Sequence, residues 1–529
     1  MKKVISLLLA LVMSVGMLAG CGGNAGIPKD ATLKIGIPQS SNISSYEDNG
    51  FTKYLEEKTG VKIEFVYFAS AAEEYKKQLA LTCGAQEELP DILLGFDIGH
   101  YMINQYGEDG YFVDLTEYID KYGENYKKAM ETLDDEIKDY VKEKSVNTND
   151  GAIYGLPRVI CTASDDIQSM TYINKGWLDK LGLQIPTTID ELRNVLQAFK
   201  TQDPNGNGKQ DEIPMIGAGG IQYYIINAFM HFDSGRFNVT DGKVWDPATT
   251  DEFRQALIYG NKLVKDELYS SLSFTVKTTT EIKNLISPQG EPSKVGIFCG
   301  LPSSYTSVDS DVLKDFVALP ALGDATGQGG YTVVGERKIS WTGFITKDCE
   351  YPELAMKFMD TFYTDDTISA QRHGVEGVDW TRKEGKNYIG TDSYVNVVNS
   401  EAFFSGNSTW AINVLGIMSH WNYMVVSQEG TEGRASDVGR LGRETMEIQE
   451  TGKKPEERCI YLVYTTEEYE KQEEISGEVN TYVSESITEF FAGVKDPSND
   501  ATWDEFLTNL KSVGREDMLK IAQDAYSRK

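Results

Sequence analysis

Short apolar runs at 33–37, 61–68 and 91–94 alternate with stretches of helical spacing, and that alternation constrains the fold more than any other feature. Residues 45–58 carry Phe51, Tyr54 and Leu55 about a turn apart and stop before Gly60, while 73–82 reads as a second helix. Strands joined through a helix by short links pair in parallel, because the crossover brings the chain back to the same edge. The pattern recurs with expected strands at 170–174, 295–298, 317–319 and 339–345, and helices at 115–122, 251–265, 351–363 and 515–526. Thr188 with Glu191, and Thr502 with Glu505, have the spacing of a capping box. The expected fold class is therefore α/β, with mostly parallel sheets and flanking helices. Ligands of such sheets sit outside the carboxyl ends of the strands. Here those ends are Ala69-Ser70 and Gly95-Phe96-Asp97, followed by His100 and Tyr101.

The first residues mark an exported chain. Lys2 and Lys3 precede an apolar run from 4 to 17, and Leu18-Ala19-Gly20 leads directly into Cys21. A positive start, a short apolar run and small residues make a secretory signal, and the run is shorter than the roughly 20 residues a membrane span needs. The cysteine at the cleavage point resembles a bacterial lipobox, in which Cys21 would be acylated and become the mature N-terminus; a plain signal with an incidental cysteine is the alternative. Acyl chains such as palmitate, two or more together, would hold the protein at the membrane. Residues 1–20 are then signal peptide and 21–31 a lipidated tether. The remaining chain carries 49 basic and 81 acidic side chains, a net charge of −32 that repels nucleic acid and anionic lipid. At some 500 residues it exceeds one ordinary core, so two or more lobes are expected. Five further cysteines stand far apart with no CxxC, which makes buried free thiols the expectation.

Asp203-Pro204-Asn205-Gly206-Asn207-Gly208-Lys209-Gln210-Asp211-Glu212 is the sharpest chemical motif. Oxygen side chains stand at positions one, three and five with glycine at six, the first half of an EF-hand-type calcium loop. The Lys209 carbonyl and Asp211 would follow at seven and nine. Position twelve is Pro214, so Glu212 must close the site. The alternative is a solvated Asn/Gly turn.

These features now converge with others: Asn174-Lys175-Gly176-Trp177-Leu178-Asp179-Lys180-Leu181-Gly182-Leu183 running into Ile185-Pro186-Thr187-Thr188, Trp341-Thr342-Gly343-Phe344, Gly374-Val375-Glu376-Gly377-Val378-Asp379-Trp380, Thr502-Trp503-Asp504-Glu505-Phe506 and Ala525-Tyr526. Together with the lipobox and the Asp203 loop, over nearly the whole mature chain, they resemble the family 1 extracellular solute-binding proteins, lipoprotein receptors of carbohydrate ABC importers, and especially the calcium-loop branch that includes alginate-oligosaccharide binders. The resemblance implies a two-lobe, periplasmic-binding-protein-like fold with the ligand cleft at the hinge. Lobe 1 would be 32–160 plus about 340–380, and lobe 2 about 161–339 plus 381–529, with crossings near 158–167, 339–344 and 372–379. It also implies a structural Ca2+ held by Asp203, Asn205, Asn207, Lys209, Asp211 and Glu212. The partners would be an oligosaccharide and separate permease subunits, the site of action the outer membrane surface of the cell, and the protein a monomer without enzymatic activity.

No family motif assigns the sugar contacts. Sugar rings stack on aromatic faces and bind through a few well-placed polar groups. On that chemistry the candidates are Asp97, Tyr101, Arg158, Trp341, Glu376, Asp379, Trp380, Trp410 and Trp421, with core packing the alternative for each aromatic. Competing readings are a secreted lipoprotein glycoside hydrolase, the same fold binding peptides or other solutes, and a sensor that presents ligand to a membrane kinase. No HExxH, GxSxG, P-loop or GxGxxG occurs in the chain.

Overall fold

The computed structural model describes residues 31–529 apart from 161–169, 218–219, 234–235, 277–278, 307–310, 325, 327–328, 333–337, 388–391, 400–401, 403–406, 412–413, 419–424 and 429–431. Its strands in chain order are β1 (Thr32–Pro38), β2 (Lys62–Phe68), β3 (Ile92–Leu94), β4 (Leu156–Ile160), β5 (Thr171–Asn174), β6 (Ile213–Ile216), β7 (Asn238–Thr240), β8 (Lys243–Trp245), β9 (Val295–Cys299), β10 (Phe316–Ala318), β11 (Lys338–Ile345), β12 (Trp380–Lys386), β13 (Asp392–Val397), β14 (Gly416–Met418) and β15 (Val425–Gln428).

Two mixed sheets each carry one lobe. The first has six strands in the order β14-β4-β11-β3-β1-β2, and only β11 runs against the rest. The second has the order β10-β5-β9-β6, and only β5 is reversed. In β1, Leu33, Ile35 and Ile37 are fully buried, and a Cβ on Gly36 would come within 2.6 Å of Leu93. That close approach lets β1 sit between β2 and β3. The helix Gly50–Thr59 follows, capped by the Asn49 side chain at its start and by Gly60, φ 72°, at its end. The second core gathers Trp177, Leu192, Phe199, Phe253, Leu257, Phe490 and Trp503.

Most helices begin within a residue or two of the expected positions; the first, expected from 45, starts at Gly50 because Asn49 caps it, and two capping boxes differ. Thr188 accepts the Glu191 N–H at 3.2 Å, but the Glu191 carboxylate turns to Thr187, at 2.8 Å from its N–H. Asn499, not Thr502, caps the helix Asp500–Ser512, accepting the N–H groups of Ala501 and Thr502. Three residues earlier, at the position just before the helix, the Asn side chain reaches two donors that Thr502, already inside the helix, cannot.

β4, with Pro157 inside it, is not among the expected strands. The strand tolerates proline because the register with β11 slips between Trp341 and Gly343, opposite Pro157, so no ladder bond from that nitrogen is required. Tyr363 donates to the Pro157 carbonyl at 2.6 Å.

β4, β11 and β14 lie side by side, with Ile160 paired to both Lys338 and Met418. β12 and β13 pair antiparallel, and Trp380, Tyr394 and Val395 pack with Ile368 and Met418 on the first lobe. Trp410, Val414, Leu415 and Ile417 likewise belong to the first core, which extends that lobe beyond the expected limit of 380.

The C-terminal part is mainly helical. Thr466–Ala492 is 27 residues, about 40 Å long, and opens on a full capping box between Thr465 and Glu468. Its far half buries Val483, Ile487, Phe490 and Phe491 in the second core, and its near end touches the helix His100–Glu108 of the first lobe. Behind it, Arg515 makes a buried two-pronged ion pair with Asp246, with both nitrogen–oxygen distances at 2.8 Å.

Candidate functional site

Asp97 and Arg158 are brought together at one end of the first sheet. Asp97 follows β3, and Arg158 stands in β4 two residues before its last residue, Ile160. Tyr75, on the helix Ala72–Gly84, fixes the turn between them. Its hydroxyl donates to the Asp97 carbonyl and accepts the Asp97 N–H, both at 3.1 Å. Arg158 donates from Nη2 to Ser340 Oγ at 3.0 Å. Burial lowers the guanidinium's proton affinity, and nearby Asp97 and Tyr75 oppose that change. The result is a forked donor and an exposed carboxylate on a rigid strand end. Tyr75 and Ser340 were not foreseen, since neither carries a motif and only the fold places them here.

Tyr101 and Trp341 lie in a second group, where the lobes touch. Trp341 is buried and donates through Nε1 to Ser145 at 2.8 Å. The His100 ring sits 5.2 Å from Trp341 and 5.6 Å from Tyr469 on the long C-terminal helix. Lys144 Nζ lies 3.6 Å from the centre of the Tyr469 ring. Burial pulls Lys144 down to about 7, against the opposing charge of Glu473, and burial with the Lys144 charge pulls His100 to about 3. The Tyr101 hydroxyl is held by Glu470, whose hydrogen bond raises its proton affinity. Trp341 is thus a packing residue at this contact, whereas Tyr101 stays partly exposed.

The other aromatic candidates are packing residues. Trp410 is wholly buried among Tyr46, Phe51, Phe65 and Phe362, and its indole N–H is satisfied by Thr52 Oγ1 at 2.8 Å. Trp380 is 2% exposed and donates to the Gly374 carbonyl at 3.0 Å. Asp379 is also buried, accepting the Val375 N–H and the Asn399 amide at 2.8 Å each, so it organises a turn. Glu376 is 3.5 Å from Arg382 at the surface. Trp421 and Cys21 lie outside the described residues.

The acidic loop winds tightly around Asp203, whose carboxylate accepts the N–H groups of Gly206, Asn207 and Gly208 at 3.0–3.1 Å. Gly206 and Gly208 both take positive φ, which lets the chain turn around that oxygen pair. Asn207 and Asn205 donate to Asp211 Oδ1 at 2.9 and 3.2 Å. Lys294 holds Asp211 Oδ2 at 2.9 Å, and that bond leads the causes that bring Asp211 to about 2. Both Glu212 carboxylate oxygens are buried without a partner of normal hydrogen-bond geometry, although N–H groups of Glu212 and Asn205 lie near enough to act on them. Burial, then the charges of Asp203 and Asp211, raise its proton affinity. Among the described residues no three His, Cys, Asp or Glu side chains are gathered closely enough to hold a metal ion. The loop's donors are nonetheless of the right kind for a hard cation, with amide and main-chain oxygens making up the number. An orphaned buried carboxylate fits such an ion, and Lys294 is the group that would compete with it.

The chain is similar to proteins of known role. A fructooligosaccharide ABC transporter substrate-binding protein, FusA, of Streptococcus pneumoniae serotype 4 is 29% identical over 60% of this chain and 61% of its own length, under two thirds of that protein. Lipoprotein LipO of Bacillus subtilis is 26% identical over 71% of this chain and 74% of that one. The polygalacturonan/rhamnogalacturonan-binding protein YtcQ of Bacillus subtilis is 26% identical over 74% and 76%. Among solved structures, an HMO-binding, ABC-transporter-associated solute-binding protein from Bifidobacterium longum infantis superposes with a TM-score of 0.73 at 21% identity, over 94% of this chain and 98% of that one. An EF-hand mutant of S. pneumoniae FusA gives 0.71 at 21%, over 94% and 99%, and alginate-binding protein AlgQ2 without calcium ion gives 0.65 at 23%, over 95% and 99%. These structures share the two-lobe fold. The family of bacterial extracellular solute-binding proteins matches residues 38–367, well over half the chain, and the protein belongs to that family.

Proposed function

We propose that this protein captures an oligosaccharide outside the cell and delivers it to the permease of an ABC importer. The observation that carries this reading is the Tyr75, Asp97 and Arg158 group, beside the paired strands β4, β11 and β14. A ligand held there by one lobe and touched by the other favours the closed state by the difference in its affinity for the two states. The Arg158 fork suits adjacent sugar hydroxyls, and the Asp97 carboxylate accepts from them. The relatives named for fructooligosaccharide and for galacturonan support the cargo class. In this reading the protein converts nothing and returns its sugar unchanged.

Three further parts belong to the same reading. Cys21 carries the lipid that holds the protein at the outer face of the membrane; LipO is named a lipoprotein, and among the described residues no helix is long and apolar enough to cross a membrane. Permease and ATPase are separate chains. The loop from Asp203 to Glu212 holds calcium through Asp203, Asn205, Asn207, the Lys209 carbonyl, Asp211 and Glu212. A bound ion would neutralise the loop's carboxylates and stiffen it.

The test is a thermal-shift screen of the mature domain against neutral oligosaccharides, uronate oligomers and short peptides, with calcium present. Ligand at about 100 times its dissociation constant adds roughly 2.7 kcal/mol, a visible shift. A shift with one sugar class that is lost in Arg158→Ala supports the reading. A shift with peptides alone, or hydrolysis of the sugar, contradicts it.

A further inference from the structure

The contact between the lobes encloses an amine. Lys144 is the last residue but one of the helix Asp135–Ser145, whose Ile137 and Val141 belong to the first core. What covers its ammonium comes from the second lobe: Tyr469 and Glu473 near the start of the helix Thr466–Ala492, and Tyr464 just before that helix. A relative movement of the lobes that lifts this helix end away returns the amine to water.

Lys144 is 7% exposed. Its ammonium lies 3.6 Å from the centre of the Tyr469 ring and 5.9 Å from that of Tyr464. Glu473 acts on it by charge and not through a hydrogen bond. From its own lobe His100 faces it, with the imidazole ring 5.6 Å from Tyr469. Ring faces return only part of the hydration that an ammonium gives up on burial, and among the described residues no bonded carboxylate supplies the rest. The neutral amine carries a much smaller cost. Burial accordingly lowers the proton affinity of Lys144 from 10.5 to about 7, opposed by Glu473. Burial pushes Tyr464 up to about 12, and burial with the Lys144 charge pulls His100 to about 3, so neither changes charge near neutrality.

The polar ties around this contact are weak ones. Tyr101 bonds Glu470, and Lys529 lies 3.1 Å from Glu136, both at the surface. The charge on Lys144 is therefore a large part of the balance between seated and parted surfaces.

We propose that Lys144 is a pH-sensitive latch between the lobes: the neutral amine lets the helix Thr466–Ala492 seat on the first lobe, and the ammonium favours parting of the two surfaces. Seating releases one proton to water. Parted, the amine keeps its proton up to its ordinary value; seated, it loses it near neutrality. Between those limits the seated form gains up to about tenfold per pH unit as the pH rises. Below about pH 7 both forms carry the proton, and the balance stops changing. The latch works whatever lies between the lobes, so it stands apart from the transport reading. Joined to that reading, it makes cargo bind more weakly as the pH falls from 9 towards 7, since cargo and proton then favour opposite states.

The test is single-molecule energy transfer on the full mature chain without sugar, from pH 6 to pH 9. The dyes are carried on p-acetylphenylalanine in place of Lys53 and Lys511, exposed residues of the first and second lobe, which leaves the cysteines unlabelled. The expected result is two dye separations whose ratio shifts towards the seated one by about fiftyfold between pH 7 and pH 9. Lys144→Met, which is never charged, should keep the seated separation at every pH. Lys144→Arg, which is always charged, should favour the parted one without pH dependence. Circular dichroism checks that each variant is folded. A wild-type distribution that does not change with pH overturns the proposal. So does a pH response of equal size in Lys144→Met.

Discussion

Replacing Lys144 with methionine should stabilise the protein at neutral pH and remove part of its pH dependence. Lys144 is 7% exposed at the contact between the lobes. Its ammonium faces the rings of Tyr469 and Tyr464 and the charge of Glu473, with His100 beside it. Burial takes it from its ordinary 10.5 to about 7. The unfolded chain therefore keeps this proton up to its ordinary value, while the folded chain releases it near neutrality. Between those limits the unfolded state binds about one proton more, so stability rises with pH by about 1.4 kcal/mol per pH unit. Lys144 thus contributes fully above its ordinary value, and that contribution is lost as the pH falls towards 7. From about pH 7 to about pH 9 the wild type should gain roughly 2 kcal/mol relative to Lys144→Met, which carries no proton to exchange. The assay is urea unfolding of both proteins across that range, with equal m-values required for the comparison. Methionine also loses the contact of the ammonium with Tyr469, but that loss shifts both ends of the range alike. The same pH slope in both proteins would refute the reasoning.

Trp410→Ala should cost about 3–5 kcal/mol, since it empties a wholly buried site, while affinity for ligand measured on the folded fraction stays unchanged. Arg515→Met leaves Asp246 buried without its partner and should cost about 3–5 kcal/mol in denaturant melts; adding Asp246→Leu should recover much of that loss. Calcium added to metal-stripped protein should raise its melting temperature, and Asp203→Asn with Glu212→Gln should abolish the rise; an equal rise in that variant excludes the loop as the site. Cys21→Ala should move the protein from the membrane fraction to the medium, as cell fractionation would read directly.

The local rules of the chain were legible wherever one residue decides them. Gly60 ends a helix where the sequence puts it, although the start lies at Gly50 after the Asn49 cap and not at 45, and the Asp203 loop announced its turn through alternating oxygens and glycines. What stayed hidden depends on distant partners. β4 has Pro157 as its second residue, tolerated because the β11 register slips opposite it. The place of β14 follows from pairing of Met418 with Ile160, more than 250 residues earlier in the chain. Trp410 and Trp380 sit in polar stretches that suggested a cleft, yet tertiary packing encloses both and supplies an acceptor to each indole. Asp97 and Arg158 were candidates because of their place in the chain, whereas Tyr75 and Ser340 join them only through the fold.

The most direct test of the account is small-angle X-ray scattering of the mature domain with and without the oligosaccharide that the thermal screen selects. The account predicts a smaller radius of gyration at saturating ligand, no such change in Arg158→Ala at the same concentration, and full recovery of the sugar intact. An unchanged radius of gyration with ligand demonstrably bound would contradict closure of the lobes around it.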